Sequence, residues 1–401
     1  MGKKREIAIG MISLVLITAT VTFAVTAMIF SEHVLGMGLV RNSGTQQFNI
    51  SKLDKVRGLL ESNYLRGVDE NKILDGAISG MTNSLNDPYT VYLNQKDYED
   101  LKTETRGTYA GIGIVVSADQ SDNTITVVSP IEDTPGQKAG ILHGDKITKV
   151  NGIEVKGSEL DKAVSMMKGA KGTQVVLTIV RKDVSKPILK TITRDNIVLK
   201  TVRDEVLKNN IGYIRISMFD EKTADNFMKS YDKLMQKKVK GLVIDVRDNP
   251  GGLLQQVVEV ADRLVPKGTI VYTEDKNKIK KYWTSDPKQV DIPVALLVNG
   301  GSASASEILG GALKDTKKAT LIGTKTFGKG VVQDVIDLKD GTALKVTISE
   351  YFTPKGISIH GKGIQPDIEV KLPDKYKSSS QVSEAEDTQL QKAIEILTTK
   401  K

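Results

Sequence analysis

Three serines crowd one short run, Asn299-Gly300-Gly301-Ser302-Ala303-Ser304-Ala305-Ser306-Glu307. The apolar stretch Val294 to Val298 leads into it and reads as a buried strand. A helix follows to Lys314, with Ala305, Ile308, Leu309, Ala312 and Leu313 on one stripe. A serine at a glycine-rich strand–helix junction can expose its hydroxyl beside the helix N-terminus. Unbonded backbone N–H groups there can stabilise an oxyanion. Such a layout suits nucleophilic attack on a carbonyl, although the same residues also make ordinary helix N-caps.

A serine nucleophile needs a base. The chain has three histidines, His33, His143 and His360, and none is near this run. A histidine-based triad is therefore disfavoured. Gly328-Lys329-Gly330-Val331-Val332-Gln333 offers a lysine instead. Neutral lysine requires a pKa drop from about 10.4 to near 7, a cost of about 4–5 kcal/mol. Burial can supply that shift. Phe327, Val331 and Val332 make the neighbourhood of Lys329 apolar. Gln333 can hold the amine without adding a charge that would favour the ammonium. Lys325 is a lesser rival. His360, in Gly356-Ile357-Ser358-Ile359-His360-Gly361, reads as a structural turn residue.

Gly323-Thr324-Lys325-Thr326-Phe327-Gly328-Lys329 also fits the first seven positions of a phosphate-binding loop. The next residue is Gly330, where that loop needs Ser or Thr for magnesium. Val331 to Leu338 alternates like a strand, where the loop needs a helix. Nucleotide binding is set aside on both grounds.

A second constellation is Gly111-Ile112-Gly113-Ile114, glycines opening onto an apolar strand. Consecutive backbone N–H groups in such a loop can hold a carboxylate. An exposed strand edge can accept an extended peptide. Four residues alone fit an ordinary hairpin equally well. Strands are expected at Ile125–Val128, Ile147–Val150 and Val175–Val180, with a helix at Ser158–Met167. Arg181 closes the last strand.

The wider chain must position these groups. It has 401 residues, which suggests two to four domains. There is no cysteine, so disulfides, thiolate metal sites and a cysteine nucleophile are all excluded. The net charge of +8 is a mild bias. Basic runs with interleaved aromatics are missing, and Trp283 and the other aromatics are too sparse to stack bases, so nucleic acid is not an expected partner. Lys3-Lys4-Arg5 precedes an uncharged stretch, Ile7 to Phe30. As a helix this spans about 36 Å, enough to cross a bilayer. The basic flank favours a cytoplasmic N-terminus and an extracytoplasmic remainder. A cleaved signal peptide is the rival reading, but Phe23-Ala24-Val25-Thr26-Ala27 is not a good cleavage site.

Residues 31–46 read as a tether. Residues 49–100 look helical, with Leu53, Val56, Leu59 and Leu60 on one face and Ile73, Ala77, Ile78 and Met81 on another. Asn86-Asp87-Pro88-Tyr89 stops that pattern. From residue 211 strands and helices alternate. Gly241 to Val246 runs through Asn249-Pro250-Gly251-Gly252 into a helix from Leu253 to Val265, which argues an α/β core. Asp340-Gly341 marks a hairpin, and a last helix covers Thr388 to Leu397.

Two resemblances sharpen this reading. Pro135-Gly136-Gln137-Lys138-Ala139-Gly140-Ile141, Gly144-Asp145-Lys146-Ile147 and Val150-Asn151-Gly152 resemble the PDZ domains of bacterial proteases. This implies that a peptide C-terminus binds between Gly111–Ile114 and the Ser158–Met167 helix. With the Ser/Lys segments, the chain over 50–400 resembles the carboxyl-terminal processing (tail-specific) proteases, which are Ser–Lys peptidases. Gly76-Ala77-Ile78-Ser79-Gly80-Met81 and Asp87-Pro88-Tyr89-Thr90 are similar to that family's helical N-terminal region. Gly212-Tyr213-Ile214-Arg215-Ile216 and Asp245-Val246-Arg247-Asp248-Asn249-Pro250-Gly251-Gly252 are similar to its core.

The resemblance implies Ser304 as nucleophile, Lys329 as base and Gln333 as its orienter. Ser304 is chosen over Ser302 and Ser306 because the family's serine lies 25 positions before its lysine. Oxyanion donors would fall on Gly251, Gly252 and Ala305, and Arg181 would help sense bound peptide. The expected fold is α/β, a ClpP/crotonase-like protease core with a PDZ domain, helical N- and C-terminal caps and an N-terminal transmembrane helix. The expected divisions are 1–6 cytoplasmic, 7–30 anchor, 31–46 tether, 47–100 helical region, 101–185 PDZ domain, 186–373 peptidase core and 374–401 C-terminal linker and helix. Expected partners are protein or peptide substrates with free C-termini, the membrane and a possible homodimer. No cofactor or metal is expected. The competing functions are a catalytically silent PDZ scaffold for membrane-protein assembly and a crotonase-like acyl-CoA enzyme. The intact Ser304, Lys329 and Gln333 set argues against the first. The PDZ-like segment and expected location argue against the second.

Overall fold

The computed structural model describes residues 49–119, 121–287, 291–373 and 382–399. The expected anchor at 7–30 and tether at 31–46 lie outside the described residues. Among the described residues, no helix is long and apolar enough to cross a membrane.

The chain divides into two compact units between Ile73 and Leu74. In the first, the helix Ile50–Asn63 is capped by the Asn49 side chain and buries no residue. Its predicted apolar face is exposed, with Leu53, Val56, Leu59 and Leu60 each at least 42% accessible. Arg57 ties Asp54 to Glu70 on the polar side. The continuous helical region read from the sequence is broken. A second helix runs Glu70–Asn83, then come a short strand, Val91–Leu93, and a helix, Gln95–Arg106.

Within the second unit the core is a six-stranded sheet. Its strand order is Val202–Leu207, Ile211–Ile216, Gly241–Asp245, Val294–Val298, Ala319–Gly323 and Ile368–Glu369. All neighbours are parallel except the first pair. Its central strands Gly241–Asp245 and Val294–Val298 are buried at every residue, as their unbroken apolar runs require. Alternation then assigns side chains to two faces. Ile214, Leu242, Ile244, Leu296 and Leu321 pack with the helices Thr223–Gln236, Leu254–Leu264 and Ala305–Asp315. Ile211, Val243, Ala295, Leu297 and Ile322 pack with Leu390, Ala393, Ile394 and Leu397 of the helix Thr388–Thr399.

A second sheet runs Val91–Leu93, Ala343–Phe352, Gly268–Asp275 and Lys280–Ser285, with Val331–Asp337 also on Ala343–Phe352. The hairpin at Asp340-Gly341 is present. A third sheet has the order Ile114–Asp119, Thr124–Pro130, Lys146–Val150, Gln174–Val180 and Ile188–Thr193. The last strand carries this sheet beyond residue 185. Ile125, Val127, Ile147, Val150, Val175, Leu177 and Ile179 form its own core with Ala163 and Met167 of the helix Leu160–Met167.

Candidate active site

Val294–Val298, a central strand of the core sheet, delivers the chain into the serine run. Ser302 and Ser306 are fully buried. Ser302 donates to the Val246 carbonyl at 2.8 Å, and Ser306 donates to the Asn249 carbonyl at 3.0 Å. Both hydroxyls are structural. Ser304 is the accessible member of the three. It is the N-cap of the helix Ala305–Asp315, at φ 52° and ψ −113°. Positive φ at a non-glycine residue costs of order 1–3 kcal/mol, so the surroundings must hold it.

Glu307 supplies much of that hold. It is fully buried. One carboxylate oxygen accepts the Ser304 N–H at 3.0 Å and the Lys329 N–H at 2.8 Å. The other accepts the Thr326 hydroxyl at 2.6 Å and the Gly328 N–H at 2.7 Å. Four donors compensate a carboxylate that burial would otherwise penalise heavily. Tyr351 adds a second link. Its hydroxyl lies 2.6 Å from the Lys329 carbonyl and 3.0 Å from that of Ser304. Burial, with Glu307 nearby, pushes the Tyr351 phenol well above its ordinary range. The two segments are thus joined through both their amides and their carbonyls.

Between the strands Ala319–Gly323 and Val331–Asp337 the lysine segment is a loop, not the helix a nucleotide site would need. Gly330 approaches the His360 backbone so closely that a Cβ would lie 2.6 Å from the His360 nitrogen. Close approach explains a glycine there. Lys329 is half-buried. Burial lowers its pKa below the ordinary lysine value, Lys345 lowers it further, and Asp87 opposes both. The direction is the expected one, and of the three expected shielding residues only Phe327 is out of place. Val331 is buried, whereas Phe327 is 59% exposed and contributes little cover.

Gln333 does not hold the amine in this structure. Its amide nitrogen faces Thr347 Oγ1 at 3.4 Å, and Lys329 Nζ lies 4.7 Å from the centre of the Tyr89 ring. A register shift between Val332 and Gln333 alters the side-chain alternation just there. Lys325 is exposed, and His360 is exposed with its ring edge-on to Tyr89.

The Asn249–Gly252 turn lies against Ser304. A Cβ on Gly251 would meet Ser304 Cβ at 2.8 Å. The Gly251 N–H, however, donates to Asn249 Oδ1 at 2.8 Å, so it is not free for an oxyanion. Among the described residues, the amides of Gly252 and Ala305 have no acceptor. The turn is anchored from beneath by Asp245, Arg247 and Asp387. Arg247 reaches Asp245 at 2.7 Å and Asp387 at 2.8 Å. Burial pushes the Asp245 carboxyl up, but Arg247 and Arg215 outweigh it and hold it below the usual carboxylate range.

In the PDZ-like sheet, Ile114–Asp119 is an edge strand, open to an added strand. Gly111 ends the preceding strand, and Ile112 is buried. The Ile112 carbonyl accepts from Gly136 at 2.6 Å, and that of Gly113 accepts from Ile131 at 2.9 Å. Among the described residues, the amides of Ile112 and Gly113 have no acceptor. Arg181 forms a paired contact with buried Asp145 at 2.7 and 2.8 Å and also reaches the Gly140 carbonyl. Its guanidinium is already engaged within its own sheet. His143 bonds the Val128 carbonyl through Nδ1.

Glu307 lies in the serine run, but no catalytic pattern singles it out. The spacing Ser304-x-x-Glu307 is a capping signature and could have found it. Nothing local marks Tyr351, 47 positions from Ser304 in sequence.

Comparison with known proteins places the chain in a family. Residues 210–370 match the peptidase family S41 model, 126–181 match a PDZ domain, and 15–97 match the activating protease CtpB N-terminal domain. A carboxy-terminal-processing protease of Bartonella bacilliformis is 41% identical over 372 residues, spanning 89% of this chain and 84% of that protein. The chain belongs to the carboxy-terminal processing proteases of peptidase family S41. It is a serine-type peptidase carrying a PDZ domain. The carboxy-terminal processing protease CtpA of Bacillus subtilis is 39% identical, covering 93% of this chain and 79% of its own length. A solved S41 protease from Bacteroides fragilis, 20% identical, shares the fold with a TM-score of 0.55 over 88% of this chain and 99% of its own.

Proposed function

We propose that this peptidase cleaves proteins through Ser304 and Lys329. Neutral Lys329 takes the Ser304 proton as the hydroxyl attacks the scissile carbonyl. The resulting oxyanion is met by the amides of Gly252 and Ala305. Lys329 returns the proton to the leaving amine, and water then releases the acyl group. Gln333 would have to turn from Thr347 to steady the amine. One observation carries this reading: Ser304 and Lys329 share a Glu307 oxygen, and Ser304 is the accessible serine of its run.

The PDZ domain is the reader of free substrate C-termini, on Gly111, Ile112, Gly113 and Ile114. The edge strand beside this loop supports that assignment. Residues 7–30 anchor the chain, with the peptidase extracytoplasmic. The uncharged run behind Lys3-Lys4-Arg5 supports that topology. A homodimer is the proposed assembly, carried over from the family resemblance. No feature favours the silent scaffold.

The test is covalent labelling of the full chain with a serine-directed fluorophosphonate, followed by peptide mass mapping. The adduct should sit on Ser304 and disappear in Ser304→Ala, together with turnover of an unstructured protein. An adduct on Ser302 or Ser306 would overturn the assignment. Alkaline extraction and protease accessibility of native membranes test the anchor and its orientation.

A further inference from the structure

Asp87-Pro88-Tyr89-Thr90 stands between the helix Glu70–Asn83 and the strand Val91–Leu93, and the mechanism above gives it no task. It is nevertheless a built turn. Asp87 accepts the Tyr89 N–H at 3.0 Å and the Thr90 hydroxyl at 2.6 Å. Pro88 restricts the backbone between them. Thr90 is buried and accepts the Thr347 N–H at 3.0 Å, which fastens the turn to Ala343–Phe352. Thr347 is the strand partner of Gln333. The outcome of this fastening is the placement of the Tyr89 ring 4.7 Å from Lys329 Nζ. Among the described residues, Lys329 forms no ion pair.

We propose that this turn belongs to the catalytic apparatus, with Tyr89 as a positioning residue whose ring face holds the Lys329 ammonium. The proposal rests on Lys329 being the base. An aromatic face attracts an ammonium and has no such attraction for the neutral amine. The ring therefore holds the resting base and releases it on deprotonation, when the amine becomes free to reach the serine. Other groups act on the same amine. Lys345 repels the charge and Asp87 favours it. His360 lies edge-on to the same ring. Glu307 and Tyr351 grip the Lys329 backbone. Burial dominates this set, and the ring limits how far it can drive the amine toward neutrality.

The test replaces Tyr89 by Phe, then by mono-, di- and trifluorinated phenylalanine, in the full chain. Fluorine weakens the ring's attraction for cations at nearly constant shape. The Lys329 side chain is followed by NMR of labelled lysine, assigned by its absence in Lys329→Arg. The amine should titrate at progressively lower pH, by about 0.4–1.5 units across the series. The rising limb of the kcat/KM profile should move with it. Tyr89→Phe keeps the ring face and should leave the Lys329 titration at its wild-type position. A stationary titration overturns the proposal, and so does a shift already complete in Tyr89→Phe. Lys329→Ala separates the two claims. If it is active, the base assignment fails and the ring's catalytic role fails with it. If it is silent while the titration stays fixed, only the ring's role fails.

Discussion

Ser304 and Lys329 point their backbone amides at the same oxygen of Glu307, at 3.0 and 2.8 Å. A buried carboxyl group whose one oxygen accepts both N–H groups thus clamps two segments 25 positions apart in sequence. Glu307→Gln is nearly isosteric but turns one acceptor into a donor facing N–H groups. It should cost about 1–3 kcal/mol of stability, the penalty of leaving a buried donor unsatisfied. Activity should fall at least tenfold in the protein that remains folded. Denaturant melts and turnover of an unstructured protein measure the two effects. An unchanged enzyme would show that the clamp is not needed.

Replacing each serine by Ala separates structure from chemistry. Ser304→Ala should abolish turnover and leave stability unchanged or raised, because the residue is accessible. Ser302→Ala and Ser306→Ala each leave a buried backbone carbonyl without one donor. They should lose about 1 kcal/mol of stability and keep most activity. A folded but inactive Ser306→Ala would contradict the choice of nucleophile.

Much of this site was legible in the sequence because its backbone is dictated locally. Continuous apolar runs gave the buried strands, and glycines marked the turns after them. The corrections concern where side chains and amides point. The register shift beside Gln333 redirects its amide to Thr347. The Asn249 side chain claims the Gly251 N–H that was expected to face an oxyanion. Asp145 holds Arg181, and the fold leaves Phe327 in solvent. Each outcome depends on a partner distant in sequence or on a local irregularity that periodicity does not reveal.

Lys329 ties the stability of the fold to the proposed proton transfer. Its pKa is lowered in the folded protein, chiefly by burial. Unfolded chains therefore bind this proton more tightly, and stability rises with pH from the depressed folded value toward the ordinary lysine pKa. Lys329→Met removes the buried charge. It should raise the thermal midpoint at neutral pH and abolish the pH-dependent gain from this residue. Lys329→Arg should be as inactive as Lys329→Ala, because guanidinium does not become neutral. Calorimetry across pH and turnover assays provide the check. Substantial activity in Lys329→Arg would end the role of this residue as proton acceptor.

The PDZ domain offers a test of how substrate recognition reaches Ser304. The amides of Ile112 and Gly113 have no acceptor among the described residues, and Ile114–Asp119 presents a free strand edge. A peptide with a free, apolar C-terminus should add there as a strand, its carboxylate on those amides. Amidation removes the charge and one oxygen acceptor. Losing a charge-assisted contact costs about 1.5–3 kcal/mol, or about 10- to 150-fold in affinity. Calorimetric titration of Ser304→Ala with matched free and amidated peptides measures that difference without cleavage. Two consequences for activity can then be separated. If the domain only tethers substrate, occupying it should leave hydrolysis of a second, short peptide unchanged. If it gates the site, free C-terminal peptides should accelerate that hydrolysis and amidated ones should not. Gating is the expected result, because Lys329 rests on Tyr89 and Gln333 on Thr347, and the proposed mechanism needs both to turn toward Ser304. Equal affinity for free and amidated peptides would show that this surface does not read C-termini.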